Sequence, residues 1–413
     1  MNEKFKQHFD EQGFEKLTPI QEATFEALAN DENVLGVAPT GSGKTLAYAL
    51  PLLEKLVADD GTQLLILAPS QELAAQITNV VHEWASLIEL RTISLIGGAN
   101  IKRQIEKLKK HPEIVVGTPG RVLELVEQRK LKLHHLMTAV IDEADEMLQE
   151  QESMTTIRKI LSHAPAEIQM VFFSATKAPV FNEFHRWFGI EPKYIDVSDR
   201  DDTAGQVTHY LLETPTRKRV DMLRRIAHLN EMHALVFFKQ VSTLEEVYQK
   251  LQHHHIAVAK LSSNGRQTER QQALAGLKKG TLTFVLTTDV AARGIDIPNL
   301  PAVINFDIPQ NQTIYIHRAG RTGRMGAPGA VINLGNEHEL RNFKKLMNKT
   351  TYDIQNGFLY NGQIFTENPH QACTVHKNRP VNKPIEGEKK KRKKNRKRNR
   401  KNKGKPKAHK NKQ

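Results

Sequence analysis

The chain has 413 residues, of which 39% are hydrophobic and 26% charged, and its formal net charge at pH 7 is +14. This length suffices for two domains with sizeable cores, whereas no apolar run reaches the roughly 18 residues that a membrane span requires. The single cysteine, Cys373, excludes an intramolecular disulfide and a cysteine metal cage, and the charged first residues do not resemble a secretory signal. We therefore expect an intracellular, cytoplasmic protein.

In the first half of the chain, short apolar runs alternate with amphipathic stretches. Runs that are apolar throughout are typical of strands in a parallel sheet that helices cover on both faces. We predict helices over residues 71–87 and 101–110, and strands within NVLGVA, QLLILAP, TISLIGG, EIVVGTP, AVIDEAD and MVFFSAT.

A polar, acidic segment at residues 196–206 interrupts this alternation and is typical of a linker. The alternation then resumes, with helices expected over residues 216–229, 243–254 and 267–279, and strands within VTHYLLE, ALVFFK, AVAKLSS, TFVLTTD, AVINFDIP and AVINLG. We predict an α/β domain at residues 1–200, a linker at 201–207, a second α/β domain at 208–365 and a low-complexity tail at 366–413.

The segment APTGSGKT follows an apolar strand and precedes a helix, which is the setting of a phosphate-binding loop. Its glycines allow backbone N–H groups to turn toward phosphate oxygens, and the helix start adds a positive dipole end. Lys44 can reach the outer phosphates, and the Thr45 hydroxyl can bind Mg²⁺. Ala38 stands where the usual pattern has glycine. The alternative interpretation is a glycine-rich turn without a ligand. The residues predicted to form the nucleotide site are Ala38, Thr40, Gly41, Ser42, Gly43, Lys44 and Thr45.

A second acidic element accompanies this loop about 100 residues further along the chain. The strand within AVIDEAD ends in Asp142 and Glu143, at the carboxyl edge where ligands bind in open α/β sheets. We expect Asp142 to hold Mg²⁺ and Glu143 to orient the attacking water as a general base. An acidic helix N-cap is the alternative interpretation.

Residues Asp142–Asp145 spell DEAD, the signature of the DEAD-box RNA helicases, and other segments follow in the order of that family. Each is weak alone, but together they resemble the family across residues 11–335: GFEKLTPIQ (13–21), PSQELA (69–74), GG (97–98), TPGR (118–121), SAT (174–176), VFF (236–238), QTER (267–270), TTDVAARGID (287–296) and HRAGRTGR (317–324). The resemblance implies an α/β fold of two tandem RecA-like domains. It also implies ATP hydrolysis stimulated by RNA, with ATP and Mg²⁺ as cofactors.

The resemblance assigns roles around the nucleotide. Gln21 reads the adenine edge, and Asp296 contacts the ribose, with Gly294 beside it in the nucleotide site. Arg321 and Arg324, which we expect one helical turn apart, reach the γ-phosphate from the second domain together with the first domain's Lys44, Asp142 and Glu143.

Other matched positions are implied to couple the sites and to hold RNA. The hydroxyls of Ser174 and Thr176 lie near Asp145, and His317 links the nucleotide and RNA sites. The implied RNA-binding residues contact phosphate and sugar without sequence preference: Pro69, Gly98, Thr118, Pro119, Arg121, Gln267, Arg270, Thr288 and Arg293.

The sequence departs from the family at three places. The aromatic residue that stacks on adenine is absent from its usual upstream position, so Phe5 or Phe9 is a candidate substitute, whereas Phe14 is expected in the core. Gln71 replaces the arginine of the usual PTRELA, and Ser262-Ser263 replaces the usual His-Gly before QTER. We assign no role to those serines, and we expect the histidines at 253–255 to form a solvated turn rather than a metal site.

The positive charge lies at the end of the chain. Residues 389–412 contain 16 Lys or Arg and no acid, while the remaining 44 Lys and Arg face 46 Asp and Glu, a formal charge of −2. Such a segment attracts phosphate backbones without sequence preference. It predicts a tether to structured RNA or ribosomal particles, with a solubilising or localisation tail as the alternative.

We predict a monomeric RNA helicase that unwinds short duplexes locally or remodels RNA–protein particles, with a role in ribosome assembly. Three alternatives remain from the sequence: a DNA translocase on the same paired domains, an ATP-dependent RNA clamp without turnover, and a small-molecule P-loop kinase. The segments DEAD and GFEKLTPIQ argue against the first, the presence of Glu143 and both arginines against the second, and HRAGRTGR against the third.

Overall fold

The computed structural model describes residues 1–200, 205–261, 267–292, 295, 297, 300–323, 326–348, 350 and 352–369. We call residues 1–200 lobe 1 and residues 205–369 lobe 2. Both belong to one compact unit, Met1–Pro369. Among the described residues, no helix is both long and apolar enough to cross a membrane.

Lobe 1 is a seven-stranded parallel sheet with helices packed on it. Its strand order is β3-β4-β2-β5-β6-β1-β7. The strands are β1 (Val34–Val37), β2 (Leu64–Leu67), β3 (Thr92–Leu95), β4 (Ile114–Gly117), β5 (Thr138–Ile141), β6 (Gln169–Ser174) and β7 (Lys193–Asp196). The helices are α1 (Glu3–Glu11), α2 (Pro19–Ala29), α3 (Lys44–Leu53), α4 (Gln71–Ser86), α5 (Ile101–Leu108), α6 (Pro119–Glu127), α7 (Ala144–Gln149), α8 (Gln151–Leu161) and α9 (Phe184–Phe188).

Lobe 2 has the same architecture and adds a small hairpin. Its parallel sheet has the order β10-β11-β9-β12-β13-β8-β14. The strands are β8 (Val207–Glu213), β9 (Ala234–Phe238), β10 (Val258–Lys260), β11 (Phe284–Thr288), β12 (Ala302–Asn305), β13 (Gly329–Gly335), β14 (Ile354–Asn356), β15 (Phe358–Tyr360) and β16 (Gln363–Phe365). The helices are α10 (Arg219–Ile226), α11 (Val241–His253), α12 (Gln267–Lys278), α13 (Asp289–Ala292), α14 (Gln312–Ala319) and α15 (Glu337–Met347).

The two sheets have identical topology, because each strand of lobe 2 occupies the place of the strand seven positions earlier in lobe 1. The central strands are buried along their whole length, as a sheet covered on both faces requires. The predicted tandem α/β fold is thereby confirmed. The carboxyl ends of the strands carry the loops that hold most of the residues singled out by the sequence.

Some local predictions differ from the structure. Strand β8 begins at Val207, the last residue of the predicted linker. The helix predicted over residues 216–229 is a short 3₁₀ turn followed by α10, which ends at Ile226. Strands β7, β14, β15 and β16 were not predicted, because they are partly exposed and lack a continuous apolar run.

Candidate functional site: the cleft between the lobes

The phosphate-binding loop joins β1 to α3, as the sequence predicts. Gly41 and Gly43 have φ angles of 89° and 84°, which favour glycine and turn the loop back on itself. The buried ammonium of Lys44 donates hydrogen bonds to the carbonyls of Ala38 at 2.9 Å and Pro39 at 3.0 Å. The side chain expected to meet the outer phosphates is therefore held at the loop by the loop's own backbone.

Gln21 lies directly against this loop. Its side-chain oxygen accepts a hydrogen bond from Thr18 N at 3.0 Å, and its amide nitrogen donates to Gly43 O at 3.2 Å. The hydroxyl of Thr18 donates to Ser42 O at 2.8 Å. Gln21 therefore caps α2 and fixes the loop in this structure, while its contact with adenine stays a prediction.

Asp142 follows strand β5 and is buried beside the loop. The hydroxyl of Tyr48 donates to its carboxylate at 3.0 Å. Burial and the neighbouring Glu143 raise the pKa of Asp142 to about 6, and Lys44 opposes this rise. A buried carboxylate with these neighbours is stabilised in its ionised form by added positive charge. Together with the hydroxyl of Thr45, it provides the oxygen ligands that Mg²⁺ prefers.

Glu143 has a backbone conformation that is uncommon outside glycine, with a φ angle of 51°. Glu143 is the N-cap of α7. Its Oε2 atom is buried and has no hydrogen-bond partner among the described residues. An unpartnered carboxylate oxygen at this point can accept a hydrogen bond from a water molecule, which is what the proposed base requires.

Asp145 connects the two lobes. It accepts hydrogen bonds from the Thr176 hydroxyl in lobe 1 and from His317 Nε2 in lobe 2, the latter at 3.1 Å. The hydroxyl of Ser174 donates to Thr176 O at 2.6 Å and so holds the SAT turn in shape. The predicted coupling residues are thus in direct contact with one another.

This contact changes the protonation of both partners. Burial alone raises the pKa of Asp145, but its hydrogen bonds with His317 and Thr176 hold it below the ordinary value. Burial lowers the pKa of His317, but the bond to Asp145 and the nearby carboxylates of Glu143 and Glu146 raise it above the ordinary value. One ligand-type atom each from Glu143, Asp145 and His317 lies within 4.8 Å of the other two.

Arg321 faces the same cleft from lobe 2. It borders a cavity of about 380 Å³ that is also lined by Thr40, Lys44 and Glu143. Its guanidinium donates to Ile295 O at 2.7 Å and to His317 O at 3.2 Å. The predicted arginine finger therefore lies at the cavity that holds the phosphate loop.

One prediction about this arginine is wrong. Helix α14 ends at Ala319, and Gly320 is its C-cap, so Arg321 lies in the turn after the helix. The chain there closes tight turns, in which Arg321 N donates to Arg318 O and Thr322 N to Ala319 O. The helix that was expected to carry Arg321 therefore ends before this residue. Arg324 itself, with Gly294 and Asp296, lies outside the described residues.

The predicted RNA contacts of lobe 1 gather at one edge of its sheet. They follow β2, β3 and β4, whose ends Leu67, Leu95 and Gly117 are neighbours in register. Pro69 lies just after β2, Gly98 is exposed after β3, and Thr118 and Pro119 cap and begin α6. Arg121 reaches back to this edge, where its guanidinium donates to Ala99 O at 3.3 Å.

Gln71, which replaces the family's arginine, packs over the glycine turn of this edge. Its side-chain nitrogen lies 3.2 Å from the position that a β-carbon on Gly97 would take, and its oxygen lies 3.4 Å from the equivalent position on Gly98. The side chain is exposed on its other side. It therefore remains part of the surface on which the RNA contacts are predicted.

The lobe 2 contacts lie at the matching edge of the second sheet. Gln267 begins α12, and Thr288 is the last residue of β11. Arg270 of α12 is ion-paired with Glu72 of lobe 1 at 2.7 Å, without the alignment of a hydrogen bond. The arginine that was predicted to bind RNA is thus ion-paired across the two lobes in this structure. Arg293 lies outside the described residues.

The structure also settles the aromatic candidates. Phe5 is 0% exposed and Phe9 7% exposed, and both pack against Trp84 in the core, so neither is available to adenine. The suggested substitution by either is therefore wrong, because α1 needs both rings to dock on α4. Phe14 packs against the core but also lines the cavity at the phosphate loop.

Sequence reasoning missed Arg318, which lies within HRAGRTGR. It is 3% exposed, and its guanidinium forms a two-pronged ion pair with Asp289 at 2.6 and 2.8 Å. It also donates to Asn305 Oδ1 and Asp307 O at 2.8 and 2.9 Å. A buried arginine with full pairing anchors α14, and so helps to position His317 and Arg321. The sequence signal that could have identified Arg318 is its position two residues before Gly320, the glycine that ends α14.

Paired lobes of this topology, with a phosphate loop on one and an arginine of the other facing it, define a two-lobed nucleoside triphosphatase. A profile described as DEAD/DEAH box helicase matches residues 18–184, and one described as helicase conserved C-terminal domain matches residues 218–326. The chain is 40% identical over 363 residues to the probable ATP-dependent RNA helicase YfmL of Bacillus subtilis, covering 88% of this chain and 96% of that protein. The chain belongs to the DEAD-box family of ATP-dependent RNA helicases, and it is an ATP-hydrolysing enzyme.

Further comparisons agree with this assignment. The DEAD-box helicase CshC of Bacillus cereus is 36% identical over 365 residues, which cover 88% of this chain and 93% of CshC. Saccharomyces cerevisiae Dbp5 bound to RNA and ADP BeF3 has a TM-score of 0.76 and 27% identity, covering 86% of this chain and 94% of Dbp5. The two sheets are therefore RecA-like domains, as the resemblance implied.

Proposed function

We propose that this helicase hydrolyses ATP when RNA closes the cleft, and that closure separates short duplexes locally or remodels RNA–protein particles. The observation that carries the proposal is the meeting of Glu143 and Asp145 from lobe 1 with His317 from lobe 2, within 4.8 Å. The proposed base, Glu143, is thereby adjacent to Asp145 and His317, whose contact forms only when the lobes are together. Hydrolysis then depends on both lobes, because neither contains all of these groups.

The residues have distinct tasks in this proposal. Glu143 accepts a proton from the attacking water through its unpartnered oxygen, and Lys44 and Arg321 offset the charge that develops on the phosphate from opposite sides. Lys44 must first leave its contacts with the loop carbonyls. Arg324 is assigned the same charge-balancing task from its place in the sequence.

Thr45 and Asp142 fit a bound Mg²⁺ through their oxygen atoms. When bound, the ion supplies charge neutralisation at the phosphates. Tyr48 helps by keeping one Asp142 oxygen oriented through its hydrogen bond of 3.0 Å. Gln21 is proposed to exchange its bond with Gly43 for the adenine edge, and Phe14, which lines the cavity at the phosphate loop, is proposed to stack on the base.

The RNA is proposed to lie across the two matching sheet edges. The solved neighbour Dbp5, which is bound to RNA, supports RNA as the ligand. Backbone N–H groups and small residues along this edge favour contacts with phosphate and ribose rather than with base edges. The basic segment at residues 389–412 supports a further tether to structured RNA, including ribosomal particles. The enzyme is proposed to act as a monomer in the cytoplasm.

A Glu143→Gln variant tests the proposal, with ATPase rates measured in the presence of single-stranded RNA, matched DNA, or neither. We expect RNA alone to stimulate the parent, and the variant to lose about a hundredfold or more of that rate while still binding ATP. Glu152→Gln, which changes an exposed carboxylate on the neighbouring helix α8, is the control. If the variant kept the parental rate, Glu143 would not be the base; stimulation by DNA would favour a translocase.

A further inference from the structure

Lobe 2 ends in the hairpin formed by β15 and β16, which is separate from its main sheet. The strands pair Phe358 with Phe365, Leu359 with Ile364 and Tyr360 with Gln363. Leu359 and Ile364 pack against the lobe 2 core. Since side chains alternate between the faces of a strand, Phe358, Tyr360 and Phe365 share the opposite, outer face.

Two of the three rings on this outer face are more than one third exposed, and the third is partly exposed. Tyr360 is 39% exposed and Phe365 38% exposed, and Phe358 is partly exposed. Phe358 and Phe365 are directly opposite each other, so their β-carbons are about 5 Å apart, and Tyr360 lies about 7 Å along the same strand. Several large rings on one exposed face mark a binding surface more strongly than single exposed apolar residues do.

Cations stand beside these rings. Phe358 lines a groove of about 300 Å³ together with Arg341 and Lys344 of α15. Both cations are exposed and lie on the same face of α15, three residues apart. Glu213 and Glu337 line the groove as well, so it is not uniformly positive. The groove is large enough to admit a flat ring beside Phe358.

We propose that the outer face of the hairpin is a second RNA site, at which unpaired bases stack on Phe358, Tyr360 and Phe365 while Arg341 and Lys344 contact phosphates. Aromatic rings combined with cations are the chemistry by which proteins hold single strands of any sequence. The hairpin follows β14, which lies at the opposite side of the lobe 2 sheet from β11, so this surface is distinct from the predicted RNA contacts at Gln267 and Thr288. The inference rests on RNA being the enzyme's ligand.

Charge favours RNA over a protein partner as the occupant. The chain continues beyond the hairpin toward the segment at residues 389–412, with its 16 Lys or Arg. The two parts supply complementary chemistry, because the basic segment has no aromatic residue and can hold only phosphates. Stacking requires bases that are out of a duplex, so the hairpin selects single strands and loops.

The test uses the full chain and the double variant Tyr360→Ala, Phe365→Ala. Affinity is measured without nucleotide for a single-stranded RNA and for a blunt RNA duplex. We expect affinity for the single strand to fall about five-fold or more, since each substitution removes a favourable stacking surface for a base, and affinity for the duplex to stay unchanged. The ATPase rate at saturating RNA should also stay at the parental value.

Two controls separate stacking from other effects. Tyr194→Ala removes an aromatic residue that is 52% exposed on lobe 1, and it should leave both affinities unchanged. The exchange Tyr360→Phe, Phe365→Tyr keeps the rings and should retain parental binding. Removing the cations by Arg341→Ala, Lys344→Ala should weaken binding and reduce its salt dependence.

Photocrosslinking gives a direct readout. An RNA containing 5-iodouridine should yield a crosslinked peptide that includes residues 358–365. Equal loss of single-strand and duplex binding, absence of that peptide, or a change in self-association without a change in RNA affinity would overturn the proposal. A parent enzyme whose ATPase ignored RNA would instead contradict the proposed function, while crosslinking would still decide the role of the hairpin.

Discussion

A β-carbon on Gly320 would lie 1.9 Å from Oγ1 of Thr40, so any larger residue requires the Thr40 side chain or the lobes to move. The Thr40 hydroxyl donates to Gly320 O at 3.2 Å, which fixes the contact between the lobes. The φ angle of Gly320 is −66°, which any residue adopts. The glycine is therefore required by the neighbouring lobe and not by its own backbone.

This separation of causes makes Gly320→Ala informative. We expect the variant to keep the parental unfolding temperature within a few degrees, because lobe 2 accommodates the methyl group by itself. RNA-stimulated ATPase should fall at least tenfold, because the lobes cannot reach the arrangement of this structure. The measurements are thermal unfolding and ATPase with increasing RNA; a variant with the parental RNA response would show that this contact is not used in turnover.

The bond between His317 and Asp145 predicts a pH dependence. His317 has a raised pKa, so its contribution is complete below about 6.5 and is lost as pH rises through the raised value. Asp145 has a lowered pKa, so its contribution is complete above about 3.9 and is lost only as pH falls through the lowered value. The pair is thus strongest between these limits, with Glu143 and Glu146 also facing His317.

We expect the RNA concentration for half-maximal ATPase to increase several-fold as pH is raised from neutral to alkaline values. A His317→Gln variant, which cannot take up a proton, should show weaker closure at all pH values and a flatter profile. Titrations of ATPase against RNA at several pH values check this. A variant that kept the parental slope would assign the pH dependence to another group.

At the scale of elements, Glu72 of α4 and Arg270 of α12 join the two sheet edges at which RNA contacts are predicted. The side chains are 28% and 13% exposed, so the pair is partly shielded from water. Burial lowers the pKa of Arg270, and Glu72 opposes this. Such a contact can either stabilise the arrangement of the lobes or keep Arg270 away from RNA, and these two roles predict opposite effects of the same substitution.

We expect Glu72→Gln to weaken RNA-stimulated ATPase, because the pair stabilises the closed arrangement. A double-mutant cycle with Arg270→Gln should give a coupling energy of about 1 kcal/mol, within the range usual for contacting residues. Glu246→Gln, which removes an exposed ion pair with Lys250 within α11, is the control. Tighter RNA binding by Glu72→Gln would show instead that Glu72 competes with RNA for Arg270.

At the scale of the whole molecule, two lobes of identical topology have different tasks. The turn after β1 carries the glycine-rich loop, whereas the equivalent β8 is followed by Thr214 and Pro215. Lobe 2 therefore has no phosphate loop at the corresponding place. Instead, it faces the site of lobe 1 with His317, which lies on α14, and with Arg321, which follows that helix.

The basic segment at residues 389–412 determines the net charge of the whole molecule, because the rest of the chain has a formal charge of −2. We expect deletion of residues 389–413 to weaken RNA binding and to flatten its dependence on salt. The slope of the logarithm of the binding constant against the logarithm of the salt concentration should fall by about 0.7 for each RNA phosphate that the segment neutralises. The maximal ATPase rate should remain. Binding of RNA measured over a range of salt concentrations checks this. A variant in which neutral residues replace the segment at equal length is the control. If the deletion variant kept the parental affinity and salt dependence, the segment would serve solubility or localisation instead.

Much of the fold was readable from the sequence. Each apolar run chosen as a strand contains one. Most of these strands are buried along their length, and such strands of a parallel sheet leave a local apolar signature. Strands such as β7 and β14 have no such signature, since they are partly exposed and are recruited by pairing with β1 and β8. The strand order was not readable either, because it depends on contacts between distant segments.

The sequence by itself determined the chemistry: a glycine-rich loop followed by Lys44, an acidic strand end at Asp142 and Glu143, and the arginine-rich segment HRAGRTGR. These features are local, since backbone conformation and functional groups are set within a few residues. Only the tertiary structure decided which distant groups meet, as with Thr40 and Gly320, which are 280 positions apart. The physical reason is that such contacts arise from the packing of whole sheets and lobes, which no short stretch of sequence encodes.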